Sequence, residues 1–93
     1  MLRIEGILWN EESELHIWSR HRVAPEEVET AAYAAGLVVK GRGKDVYEVY
    51  GKTEAGRYLF IVIRLLEHSL AGIITARDMS AAERRRYKRY VYH

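Results

Sequence analysis

The chain has 93 residues, room for one small domain, and its 48% hydrophobic and 30% charged content excludes a disordered chain. It has no cysteine, which excludes a disulfide framework and thiolate zinc sites; its longest apolar stretch, residues 59–66, is broken by Arg64 and is too short for a membrane span. The net charge of +2 hides an asymmetry: residues 1–36 carry three Arg against seven Glu, and residues 37–93 carry twelve Lys or Arg against six Asp or Glu. An acidic front and a basic back point to a polyanion partner for the second half. The start, MLRIEG, has no signal-peptide core, so a cytoplasmic protein is expected.

RIEGILW reads as a first strand ending near Trp9. Asn10 then caps a helix whose first turn holds Glu11, Glu12 and Glu14, where the helix dipole favours acids. That helix fades at SRHR, and Pro25 suits the first position of the next one. Val28, Ala31, Ala32 and Ala35 follow helical spacing, and Gly36 is a natural terminator. LVVKGRGKD, with two glycines and three cations, suggests a mobile basic loop and lacks the spacing of a P-loop. VYEVYG is a strand, KTEAG a turn, RYLFIVIRLL the clearest strand, EHSLAG a turn and IITAR a further strand. Ser80 and Glu83 make an S-x-x-E capping box that opens the last helix. The order β-α-α-β-β-β-α, with short turns between strands, predicts a single α+β domain: an antiparallel sheet with helices packed mainly on one face.

Centring the first hairpin between Thr53 and Glu54, and the second between Ser69 and Leu70, sorts the strands into two faces. One holds Leu59, Ile61, Ile63, Leu65, Ile74 and Ala76, an apolar floor for helices. The other holds Tyr47, Val49, Tyr58, Phe60, Val62, Arg64, Thr75 and Arg77. In this register Arg64 and Arg77 are diagonal neighbours about 7–8 Å apart. Two guanidinium groups gather where an anion sits between them, for which their planar forks suit a phosphate, or where acids such as Glu48, Asp78 or Glu83 neutralise them in salt bridges. A slip of one residue in the second hairpin makes Arg57 the companion of Arg77 in place of Arg64.

The last helix carries Arg84, Arg85, Arg86, Lys88 and Arg89, too many to share one face, with Tyr87, Tyr90 and Val91 as its candidate buried stripe. Such a surface neutralises phosphates, and tyrosines among arginines suit unpaired nucleotides. His16, His21, His68 and His93 are not paired at metal-ligand spacing, so neither a metal nor another cofactor is expected. No Ser-His-Asp pattern or nucleophile elbow is present, and helix capping accounts for the clustered acids.

Three segments in order, ILWNEESELHIWSRHRVAPEEVE, YGKTEAGRYLFIVI and IITARDMSAAERRRY, resemble the BrnT-like family of bacterial toxins. The most specific part is the final motif: a strand ending in Ala-Arg, then a helix with Glu and Tyr four residues apart, here Arg77, Glu83 and Tyr87. In the front motif Trp9, His21 and Val23 match, while the family's Asp, Lys, Gly and Ser-Phe are here Asn10, Arg20, Arg22 and Ala24-Pro25. The resemblance implies a RelE-like fold and a metal-independent ribonuclease that uses the RNA 2′-hydroxyl. It also implies a cognate ribbon-helix-helix antitoxin, through which any oligomer would form. On that reading Arg77 and Arg64 stabilise charge, with Arg57 as substitute, and His21 then Tyr87 move protons. Lys40, Arg42, Lys44, Tyr47, Arg57, Tyr58 and the five cations of the last helix hold the RNA. The competing readings are a nucleic-acid-binding module without catalysis and a protein-interaction subunit for an acidic partner.

Overall fold

The structure is a computed structural model that describes residues 3–92; Met1, Leu2 and His93 lie outside the described residues. The elements are β1 (Gly6–Leu8), α1 (Glu11–His21), α2 (Pro25–Tyr33), β2 (Leu37–Lys40), β3 (Val46–Lys52), β4 (Tyr58–Leu65), β5 (Leu70–Asp78) and α3 (Ala81–Tyr92). They form an α+β domain around one five-stranded sheet of order β1-β5-β4-β3-β2. β1 runs parallel to β5, and every other pair is antiparallel. Among the described residues no helix is long and apolar enough to cross a membrane.

Local chemistry sets the helix ends. The Asn10 side chain accepts from the amides of Glu12 and Ser13 at 2.8 and 3.3 Å, and α1 ends on Arg22 in the left-handed region (φ 53°). That conformation favours glycine, and here an arginine adopts it. Pro25 opens α2, and the Glu27 carboxylate accepts from the Ala24 amide at 3.0 Å. Ser80 and Glu83 close the expected capping box: the Glu83 amide donates to Ser80 Oγ and the Ser80 amide to Glu83 Oε1.

α1 and α2 cover one face of the sheet. Ile17, Val28, Ala31 and Ala32 pack there on Val49, Leu59, Ile61, Ile63, Ile73 and Ala76. α2 comes so close that a Cβ on Gly51 would overlap the backbone carbonyl of Ala31, so small residues on the helix meet glycine on the strand. α3 lies on the opposite face, where Tyr87 joins Leu37, Tyr50, Phe60 and Met79 in a second cluster.

Three expectations need correction. First, LVVKGRGKD is half strand: Leu37–Lys40 pairs with β3 as an edge, and only residues 41–45 turn. Gly43 (φ 96°) and Asp45 (φ 61°) take left-handed conformations, and carbonyls of the turn accept from Lys40 Nζ and Arg64 Nη1. Second, the β3–β4 register pairs Tyr50 with Phe60 and Lys52 with Tyr58. The hairpin centre falls on Ala55, because Thr53 to Arg57 form one turn in which the Thr53 amide donates to Arg57 O and the Arg57 amide to Thr53 Oγ1. The shift flips β3: Tyr47 and Val49 face α1 and α2, while Glu48, Tyr50 and Lys52 face α3. Third, a bulge lets Ile73 rather than Ile74 enter the core: Ile73 is 5% exposed and Ile74 41%.

Candidate nucleic-acid interface

Arg77 stands near the end of β5, directly across from Phe60. Its guanidinium lies 4.3 Å from the centre of the Phe60 ring. Both ends of the fork meet Glu83: Nη1–Oε1 is 2.7 Å and Nη2–Oε2 is 2.9 Å. Nη1 also donates to the Asp78 carbonyl at 3.1 Å. A strand end and the first turn of α3 are thereby joined by a flat, two-pronged contact. Arg77, with help from the Ser80 amide and hydroxyl, holds the Glu83 carboxyl below its ordinary range. Beside this pair lies Tyr50, with the Arg86 guanidinium 5.8 Å from its ring centre. Burial pushes the Tyr50 phenol up, and Arg86 partly offsets that.

The cations of α3 divide around its buried side. Tyr87, 4% exposed, anchors the helix against the Tyr58 ring (5.8 Å, edge-on) and Gly36. Helical spacing then puts Arg84 and Lys88 on one flank, Arg86 on the other, and Arg85 and Arg89 outward. Tyr90 and Val91 are exposed, so the expected three-residue stripe reduces to Tyr87. Burial pushes the Tyr87 phenol up, and its ring packs in the second cluster with Leu37, Tyr50, Phe60 and Met79. Among the described residues, the carboxylate ion pairs are Arg3–Glu5, Arg57–Glu27, Arg57–Asp78 and Arg77–Glu83; none involves the five α3 cations.

Arg57 is spoken for. Its Nε and Nη2 reach Asp78 at 2.7 and 3.0 Å, its Nη1 reaches Glu27 at 3.1 Å, and it donates to the carbonyls of His21 and Arg22. It ties the α1–α2 junction to the sheet, and it does not accompany Arg77. His21, half-buried at the end of α1, lies near enough to Asp78 to add to the lowering of that carboxyl, after the larger effect of Arg57. Asp78 and Arg77 are adjacent and point to opposite faces, so His21 and Arg77 flank the same end of the sheet from opposite sides.

Arg64 does not meet Arg77. It pairs with Gly72 and Val46, four residues along β4 from the level of Phe60 and Arg77, on the order of 13 Å. Its Nη1 donates to the Lys44 carbonyl at 2.8 Å. The second hairpin turns through Glu67–Ser69, earlier than the assumed centre, and the bulge at Ile74 does not restore the register. Lys40, Arg42 and Lys44 share the Arg64 end of the sheet, far from Arg77. Tyr47 lies on the α1–α2 face, with Lys40 5.4 Å from its ring, and not beside Tyr58.

The architecture superposes on the 1.1 Å crystal structure of the Brucella abortus ribonuclease toxin BrnT. The TM-score is 0.68 at 16% identity, covering 81% of this chain and 96% of that one. This chain has the BrnT fold. No family model matches the sequence, and no curated protein matches it either. On the BrnT fold the chain assembles residues that the sequence reading passed over: Glu48, Tyr50 and Lys52 on β3, all turned toward α3. Their alternation was visible in VYEVYGK; the hairpin centre that assigns them a face was not.

Proposed function

We propose that this protein is a ribonuclease toxin that binds single-stranded RNA across α3 and cleaves it at Arg77. The carrying observation is the Arg77 guanidinium laid on Phe60 at the foot of a helix whose five cations have no carboxylate partner among the described residues. The fold shared with a ribonuclease toxin supports it. Without a metal, the RNA 2′-hydroxyl loses its proton and attacks the adjacent phosphorus; the bond to the 5′-oxygen breaks and that oxygen takes up a proton. Arg77 neutralises the charge that builds on the phosphate oxygens, with Arg86 as the second cation. A phosphate must first replace Glu83 on the Arg77 fork. In this reading the RNA rounds the strand end that Arg77 and His21 flank from opposite sides, which brings the reacting ribose within reach of His21 for proton transfer. Arg57 and Arg64 support it structurally, through the α1–α2 junction and the 41–45 turn.

The same reading supplies a ribbon-helix-helix antitoxin as partner and the cytoplasm as the site of action. It is tested by RNA cleavage in EDTA with wild type and Arg77→Ala. Cleavage by wild type and none by the folded variant is the expected result; equal cleavage by the two removes Arg77 from the reaction. The closed Arg77–Glu83 fork favours one alternative, a nucleic-acid-binding module without chemistry, which predicts salt-dependent binding and intact RNA.

A further inference from the structure

Three cations converge on one tyrosine on the flank of α3 away from Arg86. Arg84 Cζ lies 4.8 Å from the Tyr58 ring centre, Lys88 Nζ 5.2 Å and Lys52 Nζ 5.7 Å. Two elements supply them: Lys52 is the direct cross-strand partner of Tyr58, while Arg84 and Lys88 are four apart on α3. Like charges at that helical spacing repel, and a third cation from the strand adds to the repulsion. No ion pair with a carboxylate relieves it among the described residues. Asp78 is close enough to feel Arg84, but both its oxygens are bonded to Arg57. Lys52 also donates to the Tyr92 hydroxyl at 3.2 Å, which fixes its head group beside the ring.

A ring so surrounded, with the edge of Tyr87 against it as well, is poorly placed to stack on a base. Its electron-rich surface instead gathers cations. We propose that Lys52, Arg84 and Lys88, held around Tyr58, form a phosphate-binding subsite for the RNA backbone, on the opposite flank of α3 from Arg77 and Arg86. The strand then crosses the first turns of α3, with one phosphate at Tyr58 and the reacting phosphate at Arg77. Tyr58 is the scaffold of this subsite and not a base platform. The inference rests on the RNA-binding part of the proposed function and not on cleavage.

The test is binding of a fully 2′-O-methylated 12-nucleotide single strand, which cannot be cleaved through its 2′-oxygen, measured by fluorescence anisotropy across a salt series. The variants are Lys52→Met/Lys88→Met, Lys88→Met alone, and a charge-matched control, Arg3→Met/Arg20→Met, with folding checked by circular dichroism. The subsite variants should lose about tenfold in affinity at low salt, and the slope of log K against log salt should fall by about 0.7 for one lost phosphate contact. The control should keep the wild-type slope. Equal losses in control and subsite variants, an unchanged slope in the folded subsite variants, or no wild-type binding would overturn the proposal. Inorganic pyrophosphate, titrated alone, should bind at least a hundredfold more weakly than the strand; equal affinity would mark a small-anion site and overturn the backbone assignment. Wild type that binds the methylated strand but leaves all-ribose RNA intact counts against the ribonuclease reading alone.

Discussion

At the scale of single residues, the arginines of this chain have different tasks that their residue type conceals. Arg57 satisfies two carboxylates and two carbonyls from three parts of the chain. Its side chain is 26% exposed, so solvent weakens each contact, and we expect Arg57→Ala to cost about 2–3 kcal/mol. Arg57→Lys should recover little of that, because an ammonium cannot fork. Urea denaturation measures both, and a lysine variant as stable as wild type would contradict the forked geometry. The Arg77–Glu83 pair has a pH signature. Glu83 is held below its unfolded value, so its contribution is fully present above about pH 4.3 and is lost as pH falls through the lower folded value. Arg77 stays charged throughout. Glu83→Gln should therefore be less stable than wild type at pH 7 and converge with it in acid, once the pH has fallen through that lowered folded value. Urea midpoints that stay separated to the same extent at low pH would refute this linkage.

At the scale of elements, two backbone features decide how the parts fit. Gly51 lets α2 lie directly on β3; a Cβ there would meet the Ala31 carbonyl oxygen. Gly51→Ala should lift α2 from the sheet and cost about 2–3 kcal/mol, read as a lower thermal midpoint. A midpoint equal to wild type would mean that α2 is free to shift. The β4–β5 turn carries His68 (φ 62°) and Ser69 (φ 60°), two consecutive left-handed residues of which neither is glycine. Asn-Gly suits this tight hairpin, so His68→Asn/Ser69→Gly should stabilise by about 1 kcal/mol. The helix caps at Asn10, Pro25 and Ser80–Glu83 were legible in the sequence because each acts within a few residues. β2 was not legible, since Leu37–Lys40 is short and runs into the glycines of its own turn.

At the scale of the molecule, the acidic first third and the basic remainder become opposed layers. α1 and α2, with their Glu-rich starts, cover one face of the sheet, and α3 with its cations lies on the other. This separation favours approach of a polyanion from the α3 side and raises its on-rate most at low salt. RNA binding by the intact protein should therefore weaken steeply between about 50 and 200 mM salt, by at least tenfold. A flat salt dependence would count against a phosphate-led interface.

The sequence by itself determined the α+β class, the helix starts, the α2 stripe of small residues and the basic character of the last helix. These follow from local hydrogen bonding and from side-chain periodicity, which neighbouring residues settle among themselves. Tertiary structure alone decided which residues share the α3 face. A strand alternates with period two, so an error in a turn centre moves every side chain to the other face, as happened to Tyr47 and Tyr50. It also decided that Arg57 joins Asp78 and Glu27, that Arg64 holds a turn, and that Lys52 meets Arg84 and Lys88 at Tyr58. Each of these contacts spans twenty residues or more of chain or links separate elements, and only the closed sheet brings the partners within reach.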